Sequence, residues 1–182
     1  MKRSISGSAA LALVVFLTAG CSEQSTPTQL VAESASFARS ANAPVHSVTG
    51  GGKVDWSSLS QAAGLETYGI SASIDGNGEV KGEFQASWNT PDVTFHADVT
   101  CLAVSGNEAW LGLIVTQTHD PIAFPVGTQG VMRVRDNGQG AAAADDELGY
   151  WVLVPASACA AKPTNAPWNT LVPWIHGNLQ VK

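Results

Sequence analysis

The chain has 182 residues, of which 45% are hydrophobic and only 13% charged, and its formal net charge is −6. Nucleic-acid binding requires clustered Lys and Arg that displace counterions, and this acidic sequence excludes nucleic acid as a partner. The length that remains after the N-terminal segments suits one globular domain with a real hydrophobic core.

The first 20 residues have the pattern of an export signal. Lys2 and Arg3 form a basic start, residues 9–19 are apolar, and small residues precede Cys21. The apolar stretch is too short to span a bilayer as a helix of the mature protein. The pattern resembles a bacterial lipoprotein signal, which implies that Cys21 is diacylated and becomes the mature N-terminus. Ordinary signal-peptidase cleavage nearby is the alternative.

Localisation follows from this signal. The expected product is an exported, membrane-anchored bacterial lipoprotein, and Ser22 after the cysteine resembles an outer-membrane address if the envelope has two membranes. The alternative is a secreted protein without an anchor. Residues 21–43 are rich in Ser, Thr, Gln and Pro and predict a disordered tether from Cys21. Residues 44–182 are then a single β-domain.

Alternation of apolar and polar residues predicts a hairpin over residues 67–74 and 80–88. A three-residue loop at 76–78 places Ile74 opposite Val80 and keeps the apolar residues on one face, whereas a two-residue loop mixes the faces. The next connection places Trp88 opposite Val93.

A second hairpin is predicted over residues 92–118, closed by a tight turn at Gly106 and Asn107. This register places Cys101 opposite Gly112 and Val99 opposite Ile114. The second face of these later strands is also apolar, so we expect other strands or the C-terminal tail to cover it. The predicted inner face comprises Ile70, Phe84, Phe95, Val99, Trp110 and Ile114.

Shorter strands are predicted at residues 45–48, 131–135, 148–154 and 175–181. Together these patterns give an all-β fold, an antiparallel meander of about eight strands. Short turns between the strands favour a closed or nearly closed β-barrel, and a β-sandwich is the alternative.

Five short motifs carry a resemblance to a known family. They are VTGGG at 48–52, VKGEFQ at 80–85, TCLAVSGN at 100–107, VRDNG at 134–138 and GNLQV at 177–181. In this order and spacing, across residues 45–182, they resemble the β-domain that follows choice-of-anchor modules in bacterial secreted proteins. The resemblance implies a β fold and export, and it brings no activity, cofactor or catalytic residue.

The sequence contains three cysteines. If Cys21 is lipidated, Cys101 and Cys159 remain as one pair, and exported proteins commonly pair their cysteines. We therefore expect a disulfide between them, with Cys101 facing inward. The alternative is a buried thiol at Cys101 and an exposed one at Cys159.

Two groups of polar residues are candidate metal ligands. The acidic residues Asp136, Asp145, Asp146 and Glu147 form a calcium candidate, although Gly138 and Gly140 stand where an EF-hand loop needs side-chain oxygens, and a solvated turn is the alternative. His96 and Asp98, with Gln117 opposite His96, lack a third protein ligand for zinc and suit a solvated polar face. No cofactor or metal is therefore expected.

The sequence has no Gly-x-Ser-x-Gly, His-Glu-x-x-His or Cys-x-x-Cys motif, so no enzyme is expected. Trp56, Trp168 and Trp174 fall in irregular segments, where exposed aromatic rings form platforms for glycans or proteins. The alternative is that they plug the ends of the barrel.

Two functions follow as expectations. The first is a lipid-anchored envelope or surface binding or structural module, attached to the membrane by acyl chains and binding an envelope protein or glycan. The second is a small β-barrel that carries an apolar ligand. Interior volume distinguishes them, since inward aromatic residues fill a small barrel.

Overall fold

The computed structural model describes residues 42–58, 64–89, 92–140 and 142–182. The expected signal peptide at residues 1–20, the lipidation site Cys21 and the tether as far as residue 41 lie outside the described residues.

Eight antiparallel strands follow one another along the described chain, each paired with the next. The first strand also pairs with the last, so the pairings close into a barrel. The expected all-β meander is confirmed. The strands are β1 Pro44–Asp55, β2 Leu65–Asp75, β3 Val80–Asn89, β4 Asp92–Ser105, β5 Glu108–Thr118, β6 Gln129–Arg135, β7 Glu147–Val152 and β8 Val172–Val181.

The ring of strands is closed by only a short ladder between β7 and β8. The β7–β8 ladder has two residue pairs, Glu147 with Pro173 and Leu148 with Val172. The chain between these strands, residues 153–171, crosses the outside of the barrel and contains a 3₁₀ helix at Ala156–Ala161. We call residues 153–171 the strap. A second 3₁₀ helix, Trp56–Ser58, follows β1.

The register of the first hairpin is as predicted, with Ile74 opposite Val80. The next pair of strands places Trp88 opposite Val93, also as predicted. Period-two alternation with one apolar face fixes such registers, because a slip of one residue turns every apolar side chain to the other face.

The register of β4 with β5 departs from the prediction halfway along. Cys101 lies opposite Gly112 as expected, but Val99 lies opposite Leu113 rather than Ile114. The register shifts between Val99 and Cys101, which is a β-bulge around Thr100. A bulge adds one residue to one strand and reverses which side chains face inward beyond it.

The bulge therefore corrects the predicted faces. Leu102 and Leu111 belong to the buried core of the barrel, whereas Trp110 packs in a separate cluster with Cys101. The predictions that Trp110 and Ile114 share the inner face with Val99, and that Cys101 faces inward, are wrong.

Inward side chains fill the barrel. Phe84 and Phe95 lie in the centre, with ring centroids 5.7 Å apart, and Trp88 lies 5.8 Å from Phe95. Close packing of this kind leaves little interior space. The largest fully buried side chains inside the barrel are those of Phe84, Leu111, Met132, Leu148, Leu179, Glu66, Val48, Val54 and Val134.

The strap covers the outer face of β4, β5 and β6. The cover was expected on the second face, which carries Leu102 and Leu111, but that face is the interior, and the strap lies on the face of Trp110. Trp110, Val131 and Cys159 are buried beneath it. Gly112 allows this close approach, because a Cβ atom there would lie 2.1 Å from the carbonyl oxygen of Ala156. Any larger residue at this position would push the strap away from the sheet.

Candidate functional site

The connections β1–β2, β3–β4 and β5–β6 and the start of the strap all lie at one end of an antiparallel meander barrel, which we call the Glu66 end. Glu66 is the second residue of β2 and has no solvent exposure. It lies between Val54 of β1 and Trp88 of β3 in the sheet. Its side chain therefore points into the barrel with those of its buried neighbours.

Among the described residues, one oxygen of the Glu66 carboxyl has two donors and the other has none. The indole Nε1–H of Trp56 and the hydroxyl of Tyr150, at 3.4 Å, both donate to Oε2. The other oxygen, Oε1, has no hydrogen-bond partner among the described residues. A buried polar atom without a partner costs free energy and needs an explanation.

Aromatic rings surround this carboxyl. Trp56 meets Tyr150 edge to face at 5.1 Å, and Tyr150 lies 6.3 Å from Trp88. Phe124, from the β5–β6 connection, stacks on Trp88 at 5.4 Å and on Phe95 at 4.8 Å. These five rings, from Trp56, Trp88, Phe95, Phe124 and Tyr150, are called the aromatic cluster below.

Burial sets the protonation state of the site. It raises the pKa of Glu66 to about 8, although the hydrogen bonds from Trp56 and Tyr150 act in the opposite direction. Burial, and then the nearby Glu66 carboxylate, raise the pKa values of Tyr68 and Tyr150 far above their ordinary range. At neutral pH the carboxyl of Glu66 is therefore mostly protonated.

Two more buried polar atoms beside Glu66 lack partners among the described residues, the hydroxyl of Tyr68 and the indole nitrogen of Trp174. The two rings meet edge to face at 4.8 Å. Gly52 makes room for them, since a Cβ atom there would lie 2.4 Å from the Trp174 ring. The site therefore combines aromatic surface with several unpartnered polar atoms.

Glu66 was not among the predicted site residues. A signal was available, because Glu66 falls on the same alternating face as Tyr68 and Ile70, which was predicted to be buried. An acid on an otherwise apolar face is an informative exception.

The candidate calcium ligands do not converge. Asp136 and Asp146 instead accept backbone N–H groups of β8, from Val181 at 3.0 Å and Leu179 at 2.7 Å. Glu147 pairs with Arg135, and Asp145 is exposed. Among the described residues no group of three or more His, Cys, Asp or Glu side chains could hold a metal ion. These carboxylates help to close the barrel where the β7–β8 ladder is short.

The structure also corrects the predicted tryptophan surface. Trp174 is only 3% exposed inside the barrel, so it cannot belong to a surface platform. Trp56 is partly buried over Glu66, and Trp168 is partly buried on Trp151 with ring centroids 4.5 Å apart. The three tryptophans lie in different places and form no common face.

The disulfide is confirmed, although its location differs from the prediction. Cys101 and Cys159 are bonded, with Cα atoms 6.2 Å apart and a sequence separation of 58. The bond joins the outer face of β4 to the strap and does not cross the core. Gly112 lies beside it, as expected.

An ion-pair network lies on the outer face near the disulfide. The Arg133 guanidinium donates to Glu108 at 2.8 Å and to the carbonyl oxygen of Trp168 at 2.8 Å, and it lies 5.5 Å from the centre of the Trp110 ring. Arg135 donates to Glu108 at 2.7 Å. These groups fix the strap to the sheet.

His96 and Asp98 are on the outer face of β4, and Gln117 lies opposite His96 as predicted. They are solvent-accessible to differing degrees and belong to no metal-binding group of the described residues.

Comparisons with protein families, with curated proteins and with solved structures found no match for this chain. The resemblance to the β-domain that follows choice-of-anchor modules therefore stays a prediction. In the part of the chain that the structure describes, no helix is long and apolar enough to cross a membrane.

Proposed function

We propose that this protein is an exported, lipid-anchored β-barrel module of the bacterial envelope that binds a protein partner and catalyses no reaction. The anchor is the acylated Cys21 expected from the signal sequence. The proposed lack of catalysis follows from the sequence, which carries none of the standard motifs named above. The partner surface is inferred from the exposed apolar side chains at the Glu66 end.

That surface is the observation that carries the proposal. Ile122 is 93% exposed and Leu153 is 85% exposed, and both follow strands that finish at the Glu66 end. Exposed apolar side chains gathered in one region commonly mark a protein contact. The set consists of Leu65, Ile122, Val126, Val152 and Leu153, which we call the apolar rim.

The backbone at Leu153 supports a functional reading of the rim. Its φ angle is 62°, in the left-handed region that a leucine rarely adopts. Its N–H donates to the carbonyl oxygen of Gln129 at 2.9 Å, so this conformation is fixed by the neighbouring strand. A strained residue that presents an apolar side chain to solvent is typical of a binding surface.

The chemistry of the rim favours a protein partner. Its side chains are aliphatic, whereas glycan platforms use exposed aromatic rings. The alternative function, a carrier of an apolar ligand, has less support because Phe84, Phe95 and Trp88 pack against one another inside the barrel. A lipid that co-purifies with the protein in a native mass spectrum would favour the carrier instead.

Photo-crosslinking in the envelope tests the proposal. A benzophenone amino acid at Val126 should give a discrete protein adduct, and the same amino acid at the exposed outer position Glu83 should give none. Ile122→Ser combined with Leu153→Asn should abolish the adduct, because asparagine accepts a positive φ but is not apolar. Equal adducts from both positions, or an adduct that survives the rim substitutions, would exclude the rim. Cys21→Ser should release the protein from the membrane fraction.

A further inference from the structure

Acidic side chains border the apolar rim. Asp55 is exposed and is the cross-strand partner of Leu65, in the last residue pair of β1 with β2. Asp120 is partly exposed and accepts the backbone N–H of Ile122 at 3.0 Å. Asp92 is exposed at the first position of β4, which begins at the same end of the barrel. We call Asp55, Asp92 and Asp120 the aspartate set.

Cations are scarce at this end. The connections β1–β2, β3–β4 and β5–β6 contain no lysine or arginine. The strap has a lysine, Lys162, but its ammonium donates to the carbonyl oxygen of Val104 at 2.6 Å, beside the β4–β5 turn at the opposite end. Lys53 lies two residues before Asp55 on β1. Three aspartates against one lysine therefore leave the Glu66 end negatively charged.

The rim projects from the barrel. The side chains of Ile122 and Leu153 are almost fully exposed, whereas Phe124, from the same connection as Ile122, packs inward on Trp88 and Phe95. Projecting aliphatic side chains contribute most to binding when they enter apolar pockets that exclude water. The rim therefore suits a partner that supplies such a pocket.

Charge distinguishes between the apolar surfaces that could meet this rim. A second copy of the chain, packed rim to rim, would bring two aspartate sets together, and like charges across an interface oppose binding. Anionic lipid headgroups attract basic segments and repel acidic ones. A protein surface with lysine or arginine around its pocket would instead attract the aspartate set.

We propose that the partner of the apolar rim is a protein whose apolar pocket is bordered by lysine or arginine side chains. This inference rests on the proposed function, because it requires that the rim binds a protein. The aliphatic side chains supply contact area, and the aspartate set selects the partner and speeds association.

Photo-crosslinking from Val126 in the envelope, combined with a charge variant, tests this inference. The variant carries Asp55→Asn, Asp92→Asn and Asp120→Asn. Asparagine keeps a side-chain oxygen that can accept the backbone N–H groups next to Asp55 and Asp120, so the fold should persist. We expect the protein adduct to fall by about fivefold, the effect of losing three exposed ion pairs of modest strength.

A matched control removes the same amount of charge elsewhere. Glu79→Gln, Glu83→Gln and Asp98→Asn alter exposed residues of the β2–β3 turn and of the outer face of β3 and β4, and the adduct should be unchanged. Raising NaCl from about 0.1 M to about 0.5 M should lower the wild-type adduct as the aspartate variant does, because salt screens exposed charges. The same salt should have little effect on the aspartate variant.

Mass spectrometry of the adduct decides between partners. A crosslinked peptide from another protein, whose adduct falls when lysine or arginine beside the crosslink is replaced by glutamine, would support the proposal. An adduct between two copies of this chain, an adduct with a lipid, or equal yields from the aspartate variant and its control would overturn it. Equal yields together with loss of the adduct in the rim variant Ile122→Ser, Leu153→Asn would leave the proposed function standing. Absence of any adduct from Val126 would contradict the proposed function itself.

Discussion

Glu66 and Glu108 both lie near the start of a strand, but they lie on opposite faces of the barrel wall and have different partners. Glu108 is on the strap side, where Arg133 and Arg135 donate to its two oxygens. Glu66 is inside the barrel, where its donors are the neutral groups of Trp56 and Tyr150.

Their pKa values move in opposite directions for this reason. Burial raises the pKa of Glu108, but hydrogen bonds from Arg133 and then Arg135 outweigh it, and the net shift is downward. At Glu66 burial dominates because no cation of the described residues opposes it. Among the described residues, cations therefore contact the acid that holds the strap, and none contacts Glu66.

The strap side also has the disulfide, and its removal should cause the largest loss of stability. Replacing Cys101 and Cys159 together by alanine should lower the free energy of unfolding by about 4 kcal/mol, the chain-entropy value for a loop of this length. Urea unfolding of the two proteins measures the difference. A loss below about 1 kcal/mol would show that strap packing holds without the bond.

The second-largest expected loss of stability is at Arg133, also on the strap side. Arg133→Met should lower the free energy of unfolding by about 3 kcal/mol, because Glu108 and the carbonyl of Trp168 lose a buried donor. Urea unfolding again provides the measurement. Lys81→Met is the matched control, since Lys81 is exposed and its ion pair with Glu79 lies in solvent. Equal losses in both variants would mean that the network contributes no more than a surface pair.

Much of the fold was predictable because period-two alternation and turn residues are local signals. Cys101 opposite Gly112 followed from the loop length, and Ile74 opposite Val80 followed from the loop length that keeps the apolar residues on one face. The disulfide followed from the number of cysteines, although its place outside the core did not.

The remainder depends on contacts distant in sequence. The bulge at Thr100 leaves apolar residues on both faces of β4, and only the strap, more than fifty residues later, shows which face is the interior. The role of Asp136 and Asp146 is also set by a distant segment, because both accept hydrogen bonds from backbone N–H groups of β8. Glu66 was visible as an exception on an apolar face, but the five rings around it come from five other segments.

The last prediction compares the two glutamates through pH. The folded protein keeps the Glu66 proton up to about pH 8, whereas the unfolded chain loses it near the ordinary value of 4.5. The contribution of this proton to the free energy of unfolding is fully present below pH 4.5 and is lost as pH rises through 8. Glu66→Gln removes that dependence, so the variant should be more stable than the wild type at pH 7, by up to about 3 kcal/mol.

Urea unfolding of both proteins at pH 4, 6, 7 and 8.5 measures this difference. The two free energies of unfolding should nearly coincide at pH 4. Their difference should then widen by about 1.4 kcal/mol per pH unit in the middle of the range and stop widening above pH 8. Glu108→Gln should behave in the opposite way, because the pKa of Glu108 is lowered in the folded state: the wild type should gain stability over this variant as pH rises toward 4.5, and the gap should stay constant above that pH. A constant gap for Glu66→Gln at all pH values would mean that its carboxyl is already ionised in the fold, and the contrast between the two glutamates would then fail.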